Sequence, residues 1–176
     1  MKKVILFIVI ASALASCKNL VPFTDALKRN HNWTAEQLKG VQFYVSHDII
    51  LRRELVNGSS EIVHGKIRMR DGHKVDEILI RAGTPGILTD MPKENKMLVS
   101  FEVGDDHYLS FGVNPNKGER FVLLASDWNN GMGKVHYAGD EYYTDADSHG
   151  TFLMVDLHKI DNTSLKQHVA KGRKIN

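Results

Sequence analysis

Cys17 is the only thiol among 176 residues, and it closes the stretch Leu14-Ala15-Ser16-Cys17. With no second cysteine to pair with, its available chemistry is modification, not a disulfide. A second candidate is Asp145-Ala146-Asp147-Ser148-His149-Gly150, with Asp156 six residues further on. Asp145, Asp147, Gly150 and Asp156 fall at positions 1, 3, 6 and 12 of a helix–loop–helix calcium loop. Calcium takes oxygen ligands, but His149 offers nitrogen at position 5 and Asp156 is a shorter arm than the usual bidentate Glu. The flanks read as strands, so a polar turn is the simpler reading. A third candidate is Trp128-Asn129-Asn130, an aromatic face beside two amides that suits a sugar ring. Its simpler reading is a loop tryptophan that plugs the end of a β fold.

Nine histidines are spread along the chain, and none has the H-x₃-H or H-E-x₂-H spacing of a metal site. His64 and His136 can meet only across strands. No P-loop, dinucleotide-binding or G-x-S-x-G pattern is present, so no cofactor and no catalytic residues are assigned.

The N-terminus sets the context of Cys17. Met1-Lys2-Lys3 is basic, and Val4 to Leu14 is apolar apart from Ser12. This is the pattern of a secretory signal. It is too short to span a hydrocarbon core, which takes roughly 20 residues. Leu14-Ala15-Ser16-Cys17 resembles the lipobox of bacterial lipoproteins. The resemblance implies cleavage before Cys17, a diacylglycerol thioether on its sulfur and an acylated amine, and so a membrane partner. Two or three acyl chains anchor stably where one does not. Lys18 in place of Asp implies export to the outer membrane. The lack of an acidic cluster after Cys17 implies the periplasmic face.

Removing residues 1–16 takes two lysines from the 23 basic residues and nothing from the 21 acidic ones, so the remaining chain balances at zero. That gives no general basic footprint for nucleic acid or anionic lipid. The length suits one domain over 23–176 behind a tether at 17–22, with a split near 115–130 as the alternative.

The elements follow from periodicity. Thr24 caps a brief helix. Thr34 and Gln37 form a capping box, with Trp33 stapling onto Leu38 and Gly40 closing the turn. From Val41 the period is two. Val41, Phe43, Val45, Ile49 and Leu51 share a face on a run to about Val56, long enough to require a bend. His47 falls on that apolar face and reads as a core histidine. Further strands are expected over 61–70, 74–81, 97–102, 108–113, 120–125, 135–137, 141–144, 152–155 and 165–169. Turns fall at Asn57-Gly58, Asp71-Gly72, 83–86, 104–106, 116–118, 127–133, 139–140 and 161–162. The tail 171–174 is basic. Residues 81–111 are loosely similar to small SH3-like barrels, with a Gly-Pro turn and strands ending in Val-x-Phe.

The expected fold is mainly β, an antiparallel small barrel or sandwich of nine or ten short strands with a short N-terminal helical segment. The chain resembles the small envelope lipoproteins of Gram-negative bacteria. Zero net charge after cleavage and lipid tethering suit non-enzymatic binding at the membrane face, as a scaffold or accessory subunit with an envelope protein partner. A glycan or peptidoglycan-fragment module using Trp128, Asn129 and Asn130 is the alternative. A hydrolase with an unrecognised site comes third.

Overall fold

The computed structural model describes residues 19–55, 66–70 and 73–158. The expected turns at Asn57-Gly58 and Asp161-Asn162, the last edge strand and the basic tail lie outside them. The fold is mainly β and sandwich-like, with two antiparallel sheets and two short helices.

The first sheet has seven strands. They are β1 (Leu20–Pro22), β2 (Gln42–Val45), β6 (Pro85–Lys93), β7 (Lys96–Ser100), β8 (Tyr108–Asn114), β9 (Arg120–Leu123) and β13 (Leu153–Asp156). Their order is β1-β13-β2-β6-β7-β8-β9. The sheet coils until its edges approach, through isolated bridges Thr24↔Arg120 and Val122↔Phe152.

The second sheet has six strands in the order β10-β11-β12-β3-β5-β4. They are β3 (Ile49–Glu54), β4 (Lys66–Arg70), β5 (His73–Ile80), β10 (Trp128–Asn129), β11 (Met132–Tyr137) and β12 (Asp140–Thr144). One hydrophobic cluster runs through both sheets, from Phe23, Phe43 and Phe111 in the first to Ile49, Val135 and Tyr142 in the second.

The run from Val41 does bend. Ser46-His47-Asp48 turns a corner between β2 and β3 and carries the chain from one sheet to the other. His47 sits on that corner, exposed, with Nδ1 2.8 Å from Ser46 Oγ. It is not a core residue, because the inward phase breaks at the corner and resumes at Ile49.

Other expectations are corrected. The seven and six strands exceed the nine or ten expected. Residues 20–22, expected within a tether over 17–22, are strand β1 paired to β13. The turn expected over 83–86 is shorter, since β6 begins at Pro85. Residues 127–133 are a hairpin, not an open loop. Asn130 (φ 50°) and Gly131 (φ 79°) form its two-residue turn, of the type that requires positive φ twice.

The helices form where expected. Thr24 caps α1 (Asp25–Asn30), and Thr34 and Gln37 complete the capping box of α2 (Ala35–Leu38). Trp33 stacks on His31 at 4.5 Å and on Phe23 at 6.2 Å. Among the described residues no helix is long and apolar enough to cross a membrane.

Antiparallel pairing gives the first sheet two distinct ends. Four crossings to the second sheet leave from one end, through 46–48, 81–84, 124–127 and 145–152. The β7–β8 connection, 101–107, lies at that same end. The other end holds the start of β1, the finish of β13, the β6–β7 hairpin tip and the β8–β9 turn.

Candidate functional site

Four hollows among the described residues adjoin one another along β7 and β8. On the outward face of β7 and β8, Leu98, Ser100, Tyr108 and Ser110 alternate with the buried Met97, Val99, Leu109 and Phe111. Gly112 and Leu124 extend this floor, since a Cβ on Gly112 would lie 2.7 Å from the Leu124 side chain. Strand β11 then rises as a wall.

The resulting cavity of about 430 Å³ is lined by Lys96, Tyr108 and Ser110 from the first sheet and by Ser126, Lys134 and His136 beside and on the second. Glu141 lies 2.9 Å from Lys134 and holds its ammonium above the usual lysine value. Tyr108 also lines neighbouring hollows of about 360 Å³, with Asp105, Asp106 and His107, and about 170 Å³, with His136 and Tyr137. A further hollow of about 430 Å³ shares Thr89, Ser100 and Gly104 with the 360 Å³ one. It is more apolar, with Pro85, Ile87, Phe101 and Val103 around it. Val103 is 98% exposed and Ile87 55%.

The 101–107 connection is fixed to the second sheet. Ala138 N donates to Asp106 O at 2.9 Å, and the Tyr137 hydroxyl donates to Glu102 Oε1 at 2.6 Å. His107 is buried, its ring edge-on to Tyr137 at 5.4 Å, with Nδ1 2.7 Å from Asp105 O. Gly104 makes room for that imidazole. At φ +148° a Cβ there would sit 2.3 Å from Nδ1 of His107.

Deeper in the second sheet is a buried ionic cluster. Asp76 is fully buried and stands opposite Arg53 in the β3–β5 register. Its Oδ2 accepts from Arg53 Nε at 3.2 Å and from the Tyr142 hydroxyl at 2.8 Å. Arg53 also pairs with Asp140 and lies over the Tyr142 ring at 5.2 Å.

Burial, reinforced by a bond to a carboxylate, holds Tyr137 and Tyr142 protonated well above the usual tyrosine range. The unfolded chain releases those protons near pH 10, whereas the native chain keeps them. Stability from these groups is therefore full below about pH 10 and falls above it, by up to about 1.4 kcal/mol per pH unit for each tyrosine. Urea midpoints taken on either side of pH 10 are expected to drop, and Tyr142→Phe to flatten the slope. An unchanged midpoint would refute this.

The three sequence candidates fall elsewhere. Trp128 packs inward, with its indole over Gly133, where a Cβ would meet the ring at 2.6 Å. His149 meets it edge-on at 5.0 Å. Neither Trp128, Asn129 nor Asn130 lines any of the four hollows. Trp128→Ala is accordingly expected to cost about 1–3 kcal/mol in a denaturation curve, and a cost near zero would contradict the packing.

Asp145 is spent on capping the short 3₁₀ turn at Ala146–Ser148, accepting from Ser148 N and Oγ. Asp147 is exposed, and Asp156 lies buried in β13. Among the described residues no three His, Cys, Asp or Glu side chains gather as metal ligands, so Asp145, Asp147 and Asp156 are not brought together. The Ser46–His47 pair lies outside the four hollows, and Ser46 Oγ also accepts from Phe152 N at 2.9 Å.

Chemically, the polar hollow offers hydrogen-bond donors to an acceptor-rich group, with an apolar ledge beside it for a hydrocarbon face. Comparison with known proteins finds no matching family model, no matching curated protein and no matching solved structure.

Proposed function

We propose that this chain is a lipid-anchored binding domain of the bacterial cell envelope, held by Cys17, that engages a protein partner on the face around Tyr108. It acts as a scaffold or accessory subunit at the outer membrane, facing the periplasm. The observation that carries the reading is that four hollows among the described residues adjoin one another along β7 and β8. Polar and apolar lining stand side by side there, as at the rim and core of a protein interface. Tethering to a surface raises effective concentration, so a modest interface suffices.

A photo-cross-linking residue at Leu98 is expected to capture one stoichiometric envelope partner, and the same probe at Lys117 to capture none. Equal capture at both positions would count against the face. The anchor has its own test. Cys17→Ala is expected to release the protein from the membrane fraction and to abolish fatty-acid labelling, and labelling that persists would refute it.

A second reading moves the glycan site from Trp128 to Tyr108. Its support is a tyrosine bordered by lysines, a histidine and serines, which suits an anionic sugar fragment. A thermal shift with peptidoglycan fragments that Tyr108→Ala removes would favour it over the protein partner.

A further inference from the structure

The Tyr108 cavity is lined by bases without acids. Lys96, Lys134 and His136 border it, and no Asp or Glu does among the described residues. Lys96 stands opposite Lys93 in the β6–β7 register, a like-charge pair that costs stability and that a nearby anion relieves. Neither lysine makes an ion pair among the described residues. Glu94 is at the hairpin tip between them and does not line the cavity. Lys134 has one acid, Glu141 at 2.9 Å, which the register places opposite His136 and which is also outside the lining. Tyr108 and Ser110 add hydroxyl groups to the wall of a space of about 430 Å³.

The sign of the charge reverses a short way along the same floor. The adjoining hollow of about 360 Å³ shares Leu98 and Tyr108 with the cavity and is bordered by Asp90, Asp105 and Asp106. Lys96 and Ser100 are the two ends of β7, and Ser100 is paired to Tyr108. The reversal therefore takes the length of β7, on the order of 13 Å. That exceeds the screening length of about 8 Å at physiological salt, so one charge held at the lysine end feels little of the carboxylates. A chain that is anionic along its whole length is repelled at the other end. The apolar hollow around Ile87 and Val103 continues from Ser100, which lines both.

We infer that the partner engaged at the Tyr108 face presents a carboxylate side chain that seats between Lys96 and Lys134, with apolar side chains laid along Leu98 toward Ile87 and Val103. This deepens the protein-partner reading above and rests on it. A carboxylate accepts charge-assisted hydrogen bonds from both ammonium groups and offsets the repulsion between Lys93 and Lys96. Glu141 competes for Lys134 and limits its share of the contact. A single acid flanked by apolar groups matches the sequence of basic, apolar and acidic lining, and a polyanionic glycan does not.

The test titrates the protein as purified from cells with capped tripeptides, each with leucine on both sides of a glutamate, a glutamine or a lysine, and with an oligomer of a uronic acid. Backbone amide shifts at Lys96, Ser110 and Lys134 report occupancy. The glutamate peptide is expected to bind about tenfold more tightly than the glutamine peptide, and the lysine peptide not to bind. Lys96→Gln is expected to erase that preference. Glu141→Gln is expected to widen it severalfold by releasing Lys134, a gain that misfolding does not produce. No shift with the glutamate peptide, equal affinity for glutamate and glutamine, or a preference that Glu141→Gln narrows overturns the inference. A uronic acid oligomer that binds more tightly than the glutamate peptide and displaces it overturns the inference in favour of an anionic glycan. The photo-cross-link at Leu98 separates the inference from the reading beneath it. Capture at Leu98 that survives Lys96→Glu overturns the carboxylate and leaves the partner standing. Capture no greater at Leu98 than at Lys117 removes the partner and the carboxylate with it.

Discussion

Arg53→Ala is expected to cost about 3–5 kcal/mol of folding free energy, the range for removing one partner of a buried ion pair. Asp76 is fully buried, and its carboxylate has two donors among the described residues, Arg53 and the Tyr142 hydroxyl. Without Arg53 the charge keeps one neutral donor and no cation beside it among the described residues. The truncation also uncovers the Tyr142 ring and leaves Asp140 without its guanidinium. The wild-type cluster need not itself be strongly stabilising, because desolvation offsets much of the attraction. Arg53→Met combined with Asp76→Leu is therefore expected to recover most of the loss. Urea unfolding of the four forms gives the coupling directly. If Arg53→Ala costs under about 1 kcal/mol, as a surface pair would, the cluster is not desolvated in solution.

Phe23→Ala is expected to cost a similar amount, about 3–5 kcal/mol, for a different reason. Phe23 is fully buried where β1 ends, and its ring lies 5.1 Å from both Phe43 and Phe121 and 6.2 Å from Trp33. Its backbone joins Leu153 on one side and Phe121 on the other. Removing the ring opens a cavity where β1, β2 and β9 converge, and those strands are held too firmly by their ladders to close it. Phe23→Leu keeps most of the volume and is expected to cost about half as much. Equal losses for the two substitutions would show that the ring contacts matter more than the filled space.

Much of this fold is visible in the periodicity of the sequence. The caps at Thr24 and Thr34, the inward phase of Phe43, Val45, Ile49 and Leu51, and the strands around Val99 and Phe111 follow from residue types alone. What escapes has identifiable causes. Strand β6 is masked by Pro85 and Pro92 and by register shifts between Leu88 and Lys93 that break its alternation. Strand β1 has three residues and owes its existence to β13, which lies at the far end of the chain. The Tyr108 hollows need two sheets in contact, and no local pattern reports that. The Arg53–Asp76 pair left a trace. Arg53 continues the inward phase of Ile49 and Leu51, and Asp76 continues that of Ile78 and Ile80. A charge in the inward phase of two strands is a signal that they face each other.

The ladder between β1 and β13 also constrains when the molecule can form. Its partners, Leu20 and Asp156, are nearly the whole described chain apart, and pairings so remote in sequence close slowly. The place of β13, between β1 and β2, stays vacant until the last described strand has been made. A polypeptide leaving the ribosome therefore remains without its finished core through most of its synthesis.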